Sequence, residues 1–190
     1  MKIFFTASLR GQEDYGKHYK KIFSLIEDLG YVSLDDEILK LTPSYYDNIQ
    51  KQGRDAYVDL YERKIKKLQT ADICIFECTL PSLSIGYLIQ KALDFNKPVV
   101  ILYLNDNTPQ FISGINEDKL IVKKYTEATL TQVVNSAFEE AKHLQDKRFN
   151  FFISPDLLTY LEKASKKEGI TKSTFIRNLL LAHRRKNHDD

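Results

Sequence analysis

Ligand-forming residues are scarce in this chain. It has two cysteines and four histidines in 190 residues, and His18, His143, His183 and His188 show no ligand spacing with the cysteines or with acids. That set is too small for a metal site and frames no disulfide scaffold. No metal and no cofactor is expected, and the histidines read as surface residues. Cys74 and Cys78 lie in ADICIFEC, where the two-residue period of a strand puts both thiols on one face with Phe76. They read as small buried hydrophobes of a reducing compartment. Long apolar runs are missing too, none approaching the roughly 18 residues that a bilayer span needs. The opening MKIFFTASLRG has too short an apolar stretch for a secretory signal. A cytoplasmic protein with no membrane partner is the expectation.

What is present is the composition of a soluble globular protein, 43% hydrophobic and 28% charged. The length allows one domain of roughly 100–150 residues with about forty residues left over. The net charge of +2 is unevenly spread: from Lys147 onward ten Lys and Arg face five Asp and Glu, net +5, leaving the rest at net −3. The predicted domains are residues 1–145 and a basic unit, 146–190.

KIFFTAS predicts a strand, and YGKHYKKIFSLIEDLG a helix with Tyr19, Ile22, Phe23, Ile26 and Leu29 inward, stopped by Gly30. A short strand near 31–34 and the irregular stretch LTPSYYDNIQKQG follow. Then come a helix over 54–70, a strand in ADICIFEC, a helix over 82–95, strands in PVVILYL and KLIVKKY, and a closing helix over 127–144. Continuous apolar strands alternating with helices predict an α/β fold, a parallel sheet with helices on both faces. Ligands of such sheets sit at the carboxyl ends of the strands. The loops that matter are then SLRGQED and TLPSLS, the latter leading into a helix that Ser82 is placed to cap.

The basic unit predicts one strand and two helices. RFNFFI runs into Ser154-Pro155, which opens a helix carrying Leu157, Leu158, Leu161 and Ala164 on one side and stopping at Gly169. Thr171 or Ser173 caps a second helix carrying Phe175, Ile176, Leu179 and Leu180. About forty residues cannot build a core alone, so the unit must dock or pair with a copy of itself.

FTASLRGQED, LQTADICIFECTLPSLSIGY and KALDFNKPVV together resemble the nucleoside 2-deoxyribosyltransferase superfamily, most closely its 2'-deoxynucleoside 5'-phosphate N-hydrolase branch, over residues 2–145. The resemblance implies a flavodoxin-like doubly wound sheet and a dimer that handles deoxynucleotides. It also implies phosphate and nucleotide contacts at Ser8, Leu9, Arg10, Gly11, Ser82 and Gly86, with Ser113 in FISGI at the position that contacts phosphate from the neighbouring subunit. Glycine lets backbone approach the anion, and arginine supplies fixed charge.

The departures from the family pattern concern the chemistry. The family nucleophile, a Glu in Gly-Tyr-Glu-Leu-Gly, is matched here by Leu88 in Gly86-Tyr87-Leu88-Ile89-Gln90. The Asp that assists the departing base is matched by Lys64. Leucine makes neither bond nor charge; it reads as core filling beside Ile85 and Ala92. Lys64 is read as a cation that strengthens the hold on an anion, within a largely solvated KIKK. Glu77 or Glu13 is the candidate for a relocated acid. Tyr45 and Tyr46 either cover a bound base or anchor their loop.

RFNFFISPDLLTYLEKASKKEGITKSTFIRNLL resembles a ribbon-helix-helix module. That implies a dimeric ribbon placing Arg148, Asn150 and Phe152 toward duplex DNA, with Lys172 and Ser173 near a phosphate at the second helix. Phe152 departs from the long polar residue usual there. The function expected is a nucleotide-binding, catalytically inactive deoxyribosyltransferase-like protein with a dimeric DNA-binding tail, regulatory or defence-related. The alternative is an active deoxynucleotide N-glycosidase with relocated acids.

Overall fold

The computed structural model describes residues 1–42, 44–145 and 151–186. Contacts divide the chain into two units, Met1–Asp146 and Lys147–Asp190. The first is built on five strands, β1 (Lys2–Ala7), β2 (Val32–Ser33), β3 (Ile73–Glu77), β4 (Val99–Leu104) and β5 (Leu120–Tyr125). All pair in parallel, in the order β2-β1-β3-β4-β5. This is the flavodoxin-like doubly wound arrangement, with its switch point between β1 and β3.

Alternation along the strands supplies both cores. Ile3 and Phe5 of β1, with Ile73 and Ile75 of β3, face α1 (Gln12–Asp28) and α7 (Leu130–His143), whose Ile22, Ile26, Val134 and Phe138 fill that side. Phe4, Cys74, Phe76 and Cys78 face the other way, onto Leu68 of α4 (Arg54–Thr70) and Ile85, Ile89 and Ala92 of α5 (Leu83–Asp94). The thiols therefore share a face with Phe76. Burial pushes Cys74 up to about 12 and raises Cys78 as well, so both are inert thiols.

Two expectations fail here. The stretch 41–53 is not irregular throughout: α2 (Glu37–Lys40) precedes it, and α3 (Tyr45–Gln52) occupies its centre, turned inward through Ile49 and ended by Gly53 at φ +83°. His18 is not a surface residue. It is 5% exposed, packed on the Tyr125 ring with centroids 5.8 Å apart, and neither ring nitrogen has a hydrogen-bond partner. His143 and His183 are exposed, and His188 lies outside the described residues.

Burial, and to a lesser degree Lys17, lowers the His18 pKa against the opposing pull of Glu127. A base with a depressed folded pKa contributes stability that is present above its unfolded pKa and is lost as pH falls below it. His18 should therefore contribute a loss of stability, read by urea unfolding, from pH 7 to about pH 5.5. His18→Gln should remove part of that slope, and an identical slope in the variant refutes the assignment.

In the second unit, α8 (Pro155–Lys167) starts where expected, with Pro155 in the first turn and the Ser154 hydroxyl accepting from Leu157 N–H at 3.4 Å. Gly169 ends it at φ +68°. Thr171, rather than Ser173, caps α9 (Lys172–Lys186), accepting from Thr174 N–H at 3.1 Å. Residues 148–150 of the expected strand lie outside the described residues, and Phe151 to Ile153 belong to no strand.

Candidate functional site

The chain leaves β1 through a single turn of 3-10 helix, Leu9–Gly11, and leaves β3 through Cys78–Ser82. These neighbouring exits open a cavity of about 830 Å³ at the switch point, walled by α2, α3, α4 and α5. Ser8, Leu9, Arg10 and Ser82 line it, as do Lys64 and Leu88. Gly11, Gly86 and Ser113 do not, nor do Glu13 and Glu77.

The two loops are tied to each other. The Arg10 guanidinium donates to the Pro81 carbonyl at 2.9 Å, and the Tyr19 hydroxyl donates to the Ser8 carbonyl at 3.3 Å. Gly11 is required by that packing, because a Cβ there would lie 2.5 Å from the Tyr19 hydroxyl oxygen. A Cβ at Gly86 would meet nothing within 4 Å. Ser82 stands at the N-cap of α5 with extended backbone, yet its hydroxyl makes no capping bond. Contrary to the expectation, Ser82 does not cap α5 through its side chain, though the residue lines the cavity. Ser113 ends the short helix α6 (Gln110–Ser113), away from the cavity lining.

The opposite wall is aromatic and apolar. Tyr45 and Tyr46 of α3, Tyr57 and Tyr61 of α4 and Tyr87 of α5 all line the cavity. The Tyr61 and Tyr87 hydroxyls are 3.1 Å apart, joining α4 to α5, and Lys91 sits 5.7 Å above the Tyr87 ring. Leu88 is half-buried: it packs against the core cluster of Ile85 and Ala92 and also forms part of the cavity wall.

Lys64, read from the sequence as a cation that strengthens the hold on an anion, is already paired with acids of the fold, and KIKK is not a solvated face. Lys64 pairs with Asp35, whose side chain is 1% exposed, and with Glu37 at 2.9 Å. Lys67 reaches both acids at 3.1 Å, and Arg63 reaches Glu37 at 3.0 Å and Asp59 at 2.9 Å. Burial pushes the Glu37 carboxyl up, but its bonds to Lys64 and Lys67 outweigh this and hold it below the usual carboxylate range. Glu37 is the one acid among the residues lining the cavity, and sequence reasoning missed it. Its partners lie 26 to 30 residues away along the chain, so no local spacing signals the cluster.

Arg148 and Asn150 lie outside the described residues. Phe152 is fully exposed; Lys172 pairs with Glu162 at 2.7 Å, and Ser173 is exposed at the start of α9.

Among the described residues no cluster of His, Cys, Asp or Glu is arranged to hold a metal ion, and no helix is long and apolar enough to cross a membrane.

No protein-family model matches the chain. It is 25% identical over 146 residues to the 5-hydroxymethyl-dUMP N-hydrolase of Tetraodon nigroviridis, covering 75% of this chain and all of that one. To the Syntrophotalea carbinolica protein named "Putative 2'-deoxynucleoside 5'-phosphate N-hydrolase 1" it is 30% identical over 103 residues, 54% of this chain and 68% of the relative. A solved CMP N-glycosidase of Clostridium botulinum superimposes with a TM-score of 0.48 at 13% identity, covering 73% of this chain and 99% of that one. Fold and sequence place the protein in the nucleoside deoxyribosyltransferase-like class. Within it, the chain belongs to the 2'-deoxynucleoside 5'-phosphate N-hydrolase family.

The ion cluster makes position 64 sensitive. Lys64→Asp sets a third carboxylate against buried Asp35 and half-buried Glu37 and should cost about 3 kcal/mol, the scale of a broken buried pair. Lys64→Met, which leaves Lys67 on Asp35, should cost clearly less. Urea midpoints of the two variants check the order, and equal midpoints would show that the cluster carries no such constraint.

Proposed function

We propose that the cavity binds a deoxynucleoside monophosphate and leaves its glycosidic bond intact. One observation carries this reading. The cavity sets Ser8, Arg10 and Ser82 on one side, while the wall beyond offers Leu88, a paired Lys64 and a single carboxylate, Glu37, already bonded to cations. The first group suits a phosphate: hydroxyls and a guanidinium at the start of a helix. Gly11 and Gly86 act in this reading through backbone shape, and Ser113 through a neighbouring copy of the chain. On the second side, nucleophilic attack needs an unencumbered acid within about 3–3.5 Å of the anomeric carbon. Hydrocarbon at position 88 cannot supply it. Glu13 and Glu77 stand outside the lining, which argues against both as relocated acids.

A second reading rests on Glu37, an acid facing the cavity: a working N-glycosidase in which Glu37 serves as the relocated acid. Its depressed pKa makes it a weak base, so binding without cleavage is preferred.

Calorimetry should show deoxynucleoside monophosphates binding more than tenfold tighter than their nucleosides, about 1.4 kcal/mol. Ser82→Ala with Arg10→Ala should erase the difference. Base release from the four common deoxynucleotides should be absent; release that Glu37→Gln abolishes would establish the second reading instead.

For the second unit we propose pairing with a copy of itself, in a regulatory or defence role. Leu157, Leu179, Leu180 and Phe152 are exposed, while Leu161 and Phe175 are buried, too little covered surface for so short a chain. A second copy is the occupant that covers this face, and the net charge of +5 from Lys147 onward suits duplex DNA phosphates. Light scattering should give twice 22.1 kDa, and a gel shift at low salt should show a complex that weakens steeply with added salt. Arg148→Ala and Asn150→Ala should reduce sequence preference. A monomer at micromolar concentration, or no complex with duplex DNA, removes the pairing or the DNA reading respectively.

A further inference from the structure

Glu77, the last residue of β3, is 0% exposed and takes no part in lining the cavity. Its Oε1 accepts from Thr79 N–H at 3.3 Å, from the Thr79 hydroxyl and from the Tyr125 hydroxyl at 3.0 Å. Its Oε2 is buried without a hydrogen-bond partner. An ionised carboxylate so loaded on one oxygen and bare on the other is costly to bury, and a proton on Oε2 removes the charge and with it the larger part of that cost. Burial correspondingly raises the pKa of this carboxyl against the pull of its hydrogen bonds. The titratable groups that feel its charge are Tyr19 from α1 and Tyr125 from β5, with Cys78 next in the chain on the other face of the sheet, and none is a cation. His18, itself lowered in pKa, packs on the Tyr125 ring.

The bonds run from Glu77 toward the cavity loops. Thr79 Oγ1, which donates to Glu77, accepts from Leu104 N–H at 2.8 Å, so the acid, the start of the second loop and the end of β4 are clamped together. Pro81, two residues further, offers its carbonyl to Arg10. Ser82 follows directly.

We propose that Glu77 is the positioning residue of the phosphate cradle: through Thr79 it fixes the path of residues 79–82, and with it the placement of Ser82 and Arg10, without touching the ligand. The proposal rests on the reading of this cavity as a nucleotide-binding site. It assigns Glu77 a supporting task rather than the chemistry of a relocated acid. Opening the loop exposes the acid to water, where it ionises at its ordinary pKa. Rising pH therefore favours the open loop, the sign expected for a carboxyl whose pKa is raised in the closed form.

Glu77→Gln keeps the Oε1 acceptor in a neutral side chain of the same shape. It should bind deoxynucleoside monophosphates within about twofold of the wild type, whereas Glu77→Ala should lose about tenfold, or 1.4 kcal/mol. The ratio of wild-type to Glu77→Gln affinity, taken with one nucleotide at each pH so that phosphate ionisation cancels, should fall as pH rises. A flat ratio overturns the proposal, as does an alanine variant that binds like the wild type. Hydrogen exchange separates this from the functional reading. If no monophosphate binds the wild type, that reading fails, yet the Thr79 and Leu104 amides still decide the role of Glu77. Loss of their protection in Glu77→Ala, with the centre of β1 still protected, supports the clamp; unchanged protection sinks it. Should the alanine variant not fold, the pH ratio with Glu77→Gln decides alone.

Discussion

β1 pairs with β3 on one side and β2 on the other, and this arrangement fixes where any ligand can sit. The chain leaves β1 to pack α1 on one face of the sheet and leaves β3 to pack α5 on the opposite face. Two consecutive exits that turn to opposite faces cannot cover the gap between them, so a crevice is left at the carboxyl edge. Tyr19 and Arg10 then brace its two lips through carbonyls, at Ser8 and Pro81. The cavity is thus a by-product of winding direction, refined by a few hydrogen bonds.

The far wall follows a different logic. Asp35 has no solvent to share its charge, and its cations come from α4. A lysine at position 64 is therefore bound to the fold before it is available to any ligand. The tyrosines around it supply flat, weakly polar surface, the kind that holds a planar ring by contact area rather than by charge. Ser8, Arg10 and Ser82 from the strand exits and the tyrosines of α3, α4 and α5 thus give the cavity lining both polar and aromatic surface.

Regular elements were legible in the sequence because their signals are local. The apolar runs of β3 and β4, the inward stripe of α1 and the Ser-Pro start of α8 each lie within one window. α3 was missed because eight residues with Ile49 as the single buried position scarcely show a period. His18 shares the inward face of α1 with Ile22 and Leu25 at spacings of four and seven, a signal present but discounted because histidine counts as polar. The loops of the site could be found from sequence, since glycine, serine and arginine mark them. The partners of Lys64 could not, because only folding brings Asp35 and Glu37 to α4.

The ion cluster on α4 also acts as a historical ratchet. A carboxylate at position 64, reached by one substitution, must pass through a chain in which three acids share Lys67 and Arg63. Such a chain is expected to lose stability whatever it gains in chemistry. An exit requires coordinated change at Asp35 or Glu37, on a different element of the fold. The folding of the domain thus disfavours an acid at position 64, independently of what the cavity binds.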